Sequence, residues 1–195
     1  MTNLRSTVAA AGFTALIAIG AYISIPIGPV PIVLQNFFVL LSALLLGSKI
    51  ALSSVFVYLF LGALGLPVFA GGTGGIGHFF GPTGGYLIAY LPAVVITGII
   101  ARRPKRKAVS TLNPAFLQFT ALIVGTLCIY LIGVPWLKYA AQISWKAAIG
   151  AGAAPFILGD LLKIVVAFII GRSFSSRVDE FLQVAFQKSS ISENA

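Results

Sequence analysis

STVAAAGFTALIAIGAYISIPIGPVPIVLQNFFVLLSALLLGS, residues 6–48, holds no charged side chain across 43 positions. A helix that crosses the hydrocarbon core of a bilayer needs about 20 apolar residues, so the stretch holds two spans. One long helix is excluded, because Pro26, Pro29 and Pro31 remove backbone donors and clash with the preceding turn. A second charge-free run, residues 50–101, covers 52 positions and is interrupted by glycine-rich sequence from Gly65 to Gly81. Residues 108–137 leave room for one further span, and the last apolar segment carries two charges, Asp160 and Lys163. The runs predict six helices at roughly 5–25, 32–47, 50–65, 83–101, 114–133 and 153–171. The second and third are short for a full span and are expected to tilt or to pack against neighbours.

Composition agrees. Of 195 residues, 58 % are apolar and 9 % charged, and mean hydropathy is +1.03. Soluble domains carry about 45–50 % apolar and about 25 % charged residues. A water-soluble domain, a disordered chain and a coiled coil are excluded, and an all-α integral membrane protein is expected. Thirteen Lys/Arg against four Asp/Glu give a net charge of +9. No aromatic-studded basic patch, helix-turn-helix or zinc spacing accompanies that charge, so no nucleic-acid partner is expected. The single cysteine, Cys128, precludes an intramolecular disulfide and a cysteine metal cluster. The apolar run after Arg5 is longer than the core of a signal peptide and has small residues from its start, which reads as a retained first span.

Basic residues mark the cytoplasmic side of a membrane protein. With both termini inside, Arg5, Lys49, Arg102, Arg103, Lys105, Arg106, Lys107, Arg172, Arg177 and Lys188 are cytoplasmic. Only Lys138 and Lys146 lie outside, and Lys163 falls in the membrane. Trp136 and Trp145 fall on the outer connection, at the interface tryptophans favour. Residues 1–172 read as the transmembrane domain and 173–195 as a cytoplasmic tail. In that tail Phe174, Val178, Phe181, Leu182, Ala185 and Phe186 form one apolar helical stripe, and Arg177, Asp179, Glu180, Gln183, Gln187 and Lys188 face away from it. Such a helix lies on the membrane surface, docks on a partner, or simply extends the sixth span.

Asp160 and Lys163 carry the clearest functional signal. Three residues apart, they share one helix face. An acid at mid-span costs about 2.5–3.5 kcal/mol on insertion scales, a cost that a purely structural helix has no need to bear. A polar ligand arriving from outside is the favoured reading, with Asp160 about two turns below the outer end; a locking ion pair and a proton-coupling site are the rivals. The Gly65–Gly81 segment contains Gly72, Gly74 and Gly77 at G-x-G-x-x-G spacing, but no βαβ unit or following acid supports a dinucleotide site. Its glycines, with Phe69, Phe79, Phe80 and Tyr86, suggest a packed cap over a cavity. Thr83, Gly84, Gly85 and Tyr86 open the fourth helix, whose free N–H groups would suit a carboxylate. Gln35 offers an amide at the outer start of the second helix, and His78, the only histidine, adds a candidate donor but no metal site. No Cys/His pair, HExxH motif or pair of intramembrane acids supports an enzyme. Ala11 and Ala15 on the first helix form a small-xxx-small face suited to close helix contact, within the chain or with another subunit.

Four stretches resemble the BioY family: Pro29-Val-Pro-Ile-Val-Leu-Gln35, Leu61-Gly-Ala-Leu-Gly-Leu-Pro-Val-Phe-Ala-Gly-Gly-Thr-Gly-Gly-Ile-Gly77, Phe80-Gly-Pro-Thr-Gly-Gly-Tyr86 and Gly159-Asp-Leu-Leu-Lys163. The resemblance runs from the first helix to the sixth. It implies the six-helix fold of a biotin-binding S component of energy-coupling-factor (ECF) transporters, in the cell membrane of a prokaryote. It also implies a transmembrane T component and two cytoplasmic ABC-type ATPases as partners, with no cofactor in this chain. Ala11 and Ala15 match the family's T-component contact, whereas His78 departs from a pattern in which asparagine or a small residue is commoner. The residue chemistry suits biotin: Asp160 accepts from the ureido N–H groups, Lys163 donates to the ureido C=O, and Phe69 walls the apolar rings. The carboxylate is then expected near Gly84 and Gly85, with Tyr86 or Gln35 assisting. The reverse pose, Lys163 on the carboxylate, stays open, as do a stand-alone proton-coupled carrier using Asp160 and an S component for another vitamin.

Overall fold

The computed structural model describes residues 4–26, 28–102 and 113–192, with side chains as far as residue 182. Arg103, Lys105, Arg106 and Lys107, and the side chains of Gln183, Ala185, Phe186, Gln187 and Lys188, lie outside what is described. The first helix, α1 (Leu4–Tyr22), ends before the prolines. There the chain pairs two short strands, β1 (Ser24–Ile25) and β2 (Ile32–Val33), antiparallel, with Ser24 opposite Val33 and Ile25 opposite Ile32. Then follow α2 (Gln35–Ala63), α3 (Gly84–Ala101), α4 (Pro114–Ala141), α5 (Trp145–Gly152) and α6 (Ile157–Ser192).

α2 is two helices joined at a sharp reversal. Gly47 has φ 77° and ψ 172°, a conformation that a side chain disfavours and glycine adopts freely. Gln35 at one end lines the cavity described below; Tyr58, near the other end, meets Phe69 of the same cavity edge-on. Gly47 itself lies against Arg102 at the far end of α3. A straight helix of this length would span about 43 Å, so the chain instead goes down and back in passes of roughly 18 and 24 Å. The expected second and third helices are thus present and short. Among the described residues α1, α3 and α4 are each long and apolar enough to span a membrane, α2 is so over its two passes together, and α5 with α6, bent by 43°, forms a further broken apolar segment.

The bundle closes around α3, which packs against both α2 and α4. Gly98 of α3 sits against the Ser48 backbone, an approach that a methyl group would prevent. Buried hydroxyls are satisfied by backbone carbonyls: Thr97 donates to Ala121 O of α4, and Thr14 lies within hydrogen-bond distance of Ala10 O on its own helix and Ser54 O of α2. At the end away from the cavity Arg102 donates to the Leu44 and Leu45 carbonyls, left open by the break at Gly47, and pairs with Asp179 at 2.9 Å.

Three boundaries differ from expectation. α4 runs on to Ala141, because Pro135 is accommodated inside it and the helix stops only at Gln142, with φ 53°. Trp136 and Lys138 therefore stand on α4, and Trp145 opens α5. The last helix starts at Ile157, which puts Asp160 in its first turn instead of two turns down. α6 also continues past residue 172 without a break; Val178 packs against the core, and Arg5 donates to the Phe181 carbonyl at 3.0 Å.

Candidate functional site

The starts of α2, α3 and α6 and the middle of α4 surround a cavity of about 240 Å³. That is near the lower end of small-molecule sites, which run from about 300 Å³. Its apolar wall includes Phe69, Leu87, Ile129 and Phe156. At one end stands a polar cluster from three helices. Asp160 accepts from Asn36 Nδ2 at 2.9 Å, from Lys163 Nζ at 3.0 Å and from the Tyr130 hydroxyl. Lys163 also donates to the Val33 carbonyl at 2.7 Å and to Asn36 Oδ1 at 3.0 Å. The i,i+3 spacing of Asp160 and Lys163 makes their contact local. The β2 strand and the first turn of α2 then bring Val33 and Asn36 across to complete it. The pair sums to zero charge and its remaining hydrogen-bond capacity is largely met, the condition under which a buried pair is tolerated.

Gln35, beside Asn36, is 2 % exposed, and its Nε2 has no partner. Across the cavity the glycine-rich segment folds over the wall. Phe69 bridges to Thr73, is 2 % exposed and meets Tyr58, His78 and Phe79 edge-on. His78 lies on a 3-10 turn, Ile76–Phe79, and faces the cavity with Thr73 and Thr83. Two bonds pin this end: Trp136 Nε1 donates to the Gly81 carbonyl at 3.0 Å, and the Tyr22 hydroxyl donates to Pro67 O.

Asp160, Lys163, Gln35, Tyr86, His78 and Phe69 therefore line one cavity. Gly84 and Gly85 do not. Both are buried behind the wall, Gly84 against the Phe79 backbone and Gly85 against Trp136, so they serve close packing instead of presenting N–H groups to a ligand. The N–H groups of Gly84 and Tyr86 are already taken by the Gly81 and Thr83 carbonyls. Tyr86 lines the cavity, but its hydroxyl donates to the Gly152 carbonyl at 2.8 Å, tying α3 to the α5 end. Phe80 is exposed and outside the cap. Lys163 directs its three N–H groups to protein acceptors. Ala11 and Ala15 lie on the outward face of α1, away from the cavity. Asn36, Tyr90 and Tyr130 were not singled out from sequence. A polar residue beside Gln35 and two tyrosines inside apolar spans were the available signals. Among the described residues no three His, Cys, Asp or Glu side chains come together as a metal site.

Residues 1–180 match the model of the BioY family. A probable biotin transporter BioY of Pyrococcus horikoshii is 44 % identical over 81 % of this chain and 88 % of its own. The biotin transporter BioY of Thermotoga maritima is 42 % identical over 86 % of this chain and 94 % of its own. Among solved structures, the S-component for biotin from an ECF-type ABC transporter superposes with a TM-score of 0.80 at 33 % identity, over 90 % of this chain and 95 % of that one.

Proposed function

This chain belongs to the BioY family, and from that premise we propose that it is the biotin-capturing S component of an ECF-type transporter, a multi-pass membrane protein and not an enzyme. The carrying observation is the neutral Asp160–Lys163 pair, set beside Gln35 at one end of a cavity whose middle is walled by Phe69, Leu87, Ile129 and Phe156. Biotin has the matching polarity: a ureido head with two N–H donors and one carbonyl, apolar rings and chain, and a carboxylate at the other end.

The geometry favours the ureido head at Asp160. The carboxylate keeps lone pairs for ligand N–H groups after its three protein bonds. The reverse pose would set a ligand carboxylate on an ammonium with no free N–H, 3.0 Å from Asp160 Oδ1, and like charges at that range repel strongly. The acid end then lies toward His78, Thr73 and Thr83, near the cap and closer to water. Phe69, Leu87, Ile129 and Phe156 enclose the middle.

The basic residues place Arg5, Lys49, Arg102, Arg172 and Arg177 at the end away from the cavity, and Lys138 and Lys146 at the cavity end. By the positive-inside rule the termini are cytoplasmic and the cavity opens outward across the cell membrane of a prokaryote. This chain then binds without spending ATP and holds no cofactor of its own. A transmembrane T component and two cytoplasmic ABC-type ATPases supply energy, and the outward α1 face with Ala11 and Ala15 suits the T component. Tritiated biotin titrated against the purified protein in phosphatidylcholine nanodiscs tests the reading. Saturable binding, competed by unlabelled biotin and not by other vitamins, is expected. An absence of saturable binding overturns it, and uptake by this chain alone under a pH gradient would favour a proton-coupled carrier.

A further inference from the structure

Past the cavity, α6 presents an outward face that ligand capture does not use. Leu162, Val165 and Ile169 recur at spacings of three and four, so they share one side of the helix, and all three are exposed. Arg172 continues the row three residues on, and Ser176 four residues beyond it; both are exposed as well. The face therefore changes from apolar to polar between Ile169 and Arg172. Ten residues separate Leu162 from Arg172, a rise of about 15 Å, which is half of a hydrocarbon core of about 30 Å. Arg172 also stands level with the end of the bundle away from the cavity. Its neighbour Gly171 lies against Leu44, in the last turn before the break at Gly47, and Gly47 in turn lies against Arg102.

On its apolar side the Arg172 guanidinium lies 5.9 Å from the ring centre of Phe168, which meets Phe119 of α4 edge-on. Phe116 and Phe119 are exposed, so α4 and α6 together form an apolar flank that ends at a cation. On its polar side Arg172 makes no ion pair among the described residues. Asp179 is engaged by Arg102 at 2.9 Å, and Glu180 is eight residues further along, about 12 Å of helix. Lys49 and Arg177 are exposed at the same end and likewise make no ion pair among the described residues. We propose that this flank seats a phospholipid with an anionic headgroup, its phosphate on Arg172 and Ser176 and an acyl chain along Leu162, Val165 and Ile169. A guanidinium stays charged and offers paired N–H groups to phosphate oxygens. A zwitterionic headgroup brings the same phosphate but also a cation of its own, into a field where basic residues outnumber acids. An anionic headgroup brings no such cation, and each basic residue near it adds attraction. The apolar row runs along a membrane-spanning helix at hydrocarbon depth, where lipid and not a soluble partner covers it. No residue of this flank lines the cavity, so the lipid seat stands apart from the biotin reading.

The test offers the detergent-purified protein equal amounts of phosphatidylglycerol and phosphatidylcholine with identical acyl chains, and reads the retained lipid by native mass spectrometry. The wild type is expected to retain phosphatidylglycerol over phosphatidylcholine by about fivefold or more, the factor that one basic residue contributes beside an anionic headgroup. Arg172→Gln is expected to bring the two lipids within about twofold of each other. Lys146→Gln removes the same charge at the cavity end and is expected to leave the preference unchanged. Phosphatidylglycerol should also raise the unfolding midpoint of the wild type more than that of Arg172→Gln, and biotin affinity should be equal in the two. Equal retention of both lipids by the wild type overturns the lipid seat and leaves the face to a protein partner. The same preference in Arg172→Gln as in Lys146→Gln overturns it too, because the selectivity would then come from total charge. Release of the retained lipid by inorganic phosphate would show a general phosphate site and overturn it as well. The wild-type comparison needs no variant, so it decides even if Arg172→Gln is unstable.

Discussion

Changing Asp160 to asparagine separates ligand binding from structural locking. The carboxylate takes hydrogen bonds from Asn36 Nδ2, Lys163 Nζ and the Tyr130 hydroxyl. Its side chain is 8 % exposed and that of Lys163 14 %. An amide of the same shape keeps one acceptor oxygen and puts an N–H₂ where the other oxygen accepted a hydrogen bond. Lys163 is left with two neutral acceptors, the Val33 carbonyl and Asn36 Oδ1, and no counter-charge. Removing one member of a buried pair costs about 3–5 kcal/mol, which is read as a lower unfolding midpoint of the ligand-free protein. A ligand N–H that loses a charged acceptor forfeits about 1.5–3 kcal/mol. At about 1.4 kcal/mol per decade, that is a tenfold to roughly hundredfold loss of biotin affinity. Tritiated biotin titrated against both proteins in the same nanodiscs, with thermal unfolding alongside, measures the two effects separately. Asp160→Asn with unaltered affinity would refute the placement of the ligand at this carboxylate. The pair Asp160→Asn with Lys163→Met removes both charges. It is expected to recover stability relative to the single change and to leave binding weak. If binding recovered along with stability, the carboxylate would have no part in holding the ligand.

Four further outcomes follow from the geometry. Arg102→Ala is expected to lower stability by about 1–3 kcal/mol, because the Leu44 and Leu45 carbonyls lose their donor; the half-exposed pair with Asp179 adds little. Biotin affinity should stay unchanged, since the residue lies at the far end of the bundle, and a large affinity loss would contradict that separation. Gly98→Ala places a methyl group on the Ser48 backbone and is expected to cost about 1–3 kcal/mol by forcing α3 from the turn of α2, read by thermal unfolding. Trp136→Phe removes the indole N–H that holds Gly81, so biotin should dissociate several-fold faster by stopped-flow displacement, and an unchanged rate would show that the cap is not held there. Lys138→Gln with Lys146→Gln should slow biotin association at low salt and little at high salt, with dissociation unaltered. Equal slowing at both salt concentrations would argue against electrostatic attraction of the carboxylate.

The break at Gly47 illustrates how far local reading reaches. The charge-free runs marked six helices because each buried charge is so costly in lipid that its absence delimits a span, and Lys49 set the boundary of the second and third beside the turn; the φ of 77° at Gly47 by which the chain makes that turn is a property of the fold. At Pro135 the helix runs further than expected. The fifth helix, expected to end near residue 133, continues through it to Ala141, an interior proline being tolerable where neighbouring helices support the backbone. At the site, Asp160 and Lys163 stood out by chemistry alone. Gly84 and Gly85 were misjudged because a glycine serves equally to expose backbone or to admit a neighbour, and Trp136 occupies the space.

Insertion into a membrane, the helix content and the presence of a costly buried acid–base pair are properties of residue chemistry summed along the chain, and they could be read before any coordinates. The state of each hydrogen-bonding group could not. Lys163 is saturated by Val33 and Asn36, 130 and 127 positions away, and Tyr130 reaches Asp160 from another helix. Whether a donor is spent or free depends on neighbours brought together by packing. Only the folded bundle therefore shows that the charged lysine is occupied by neighbours from other elements.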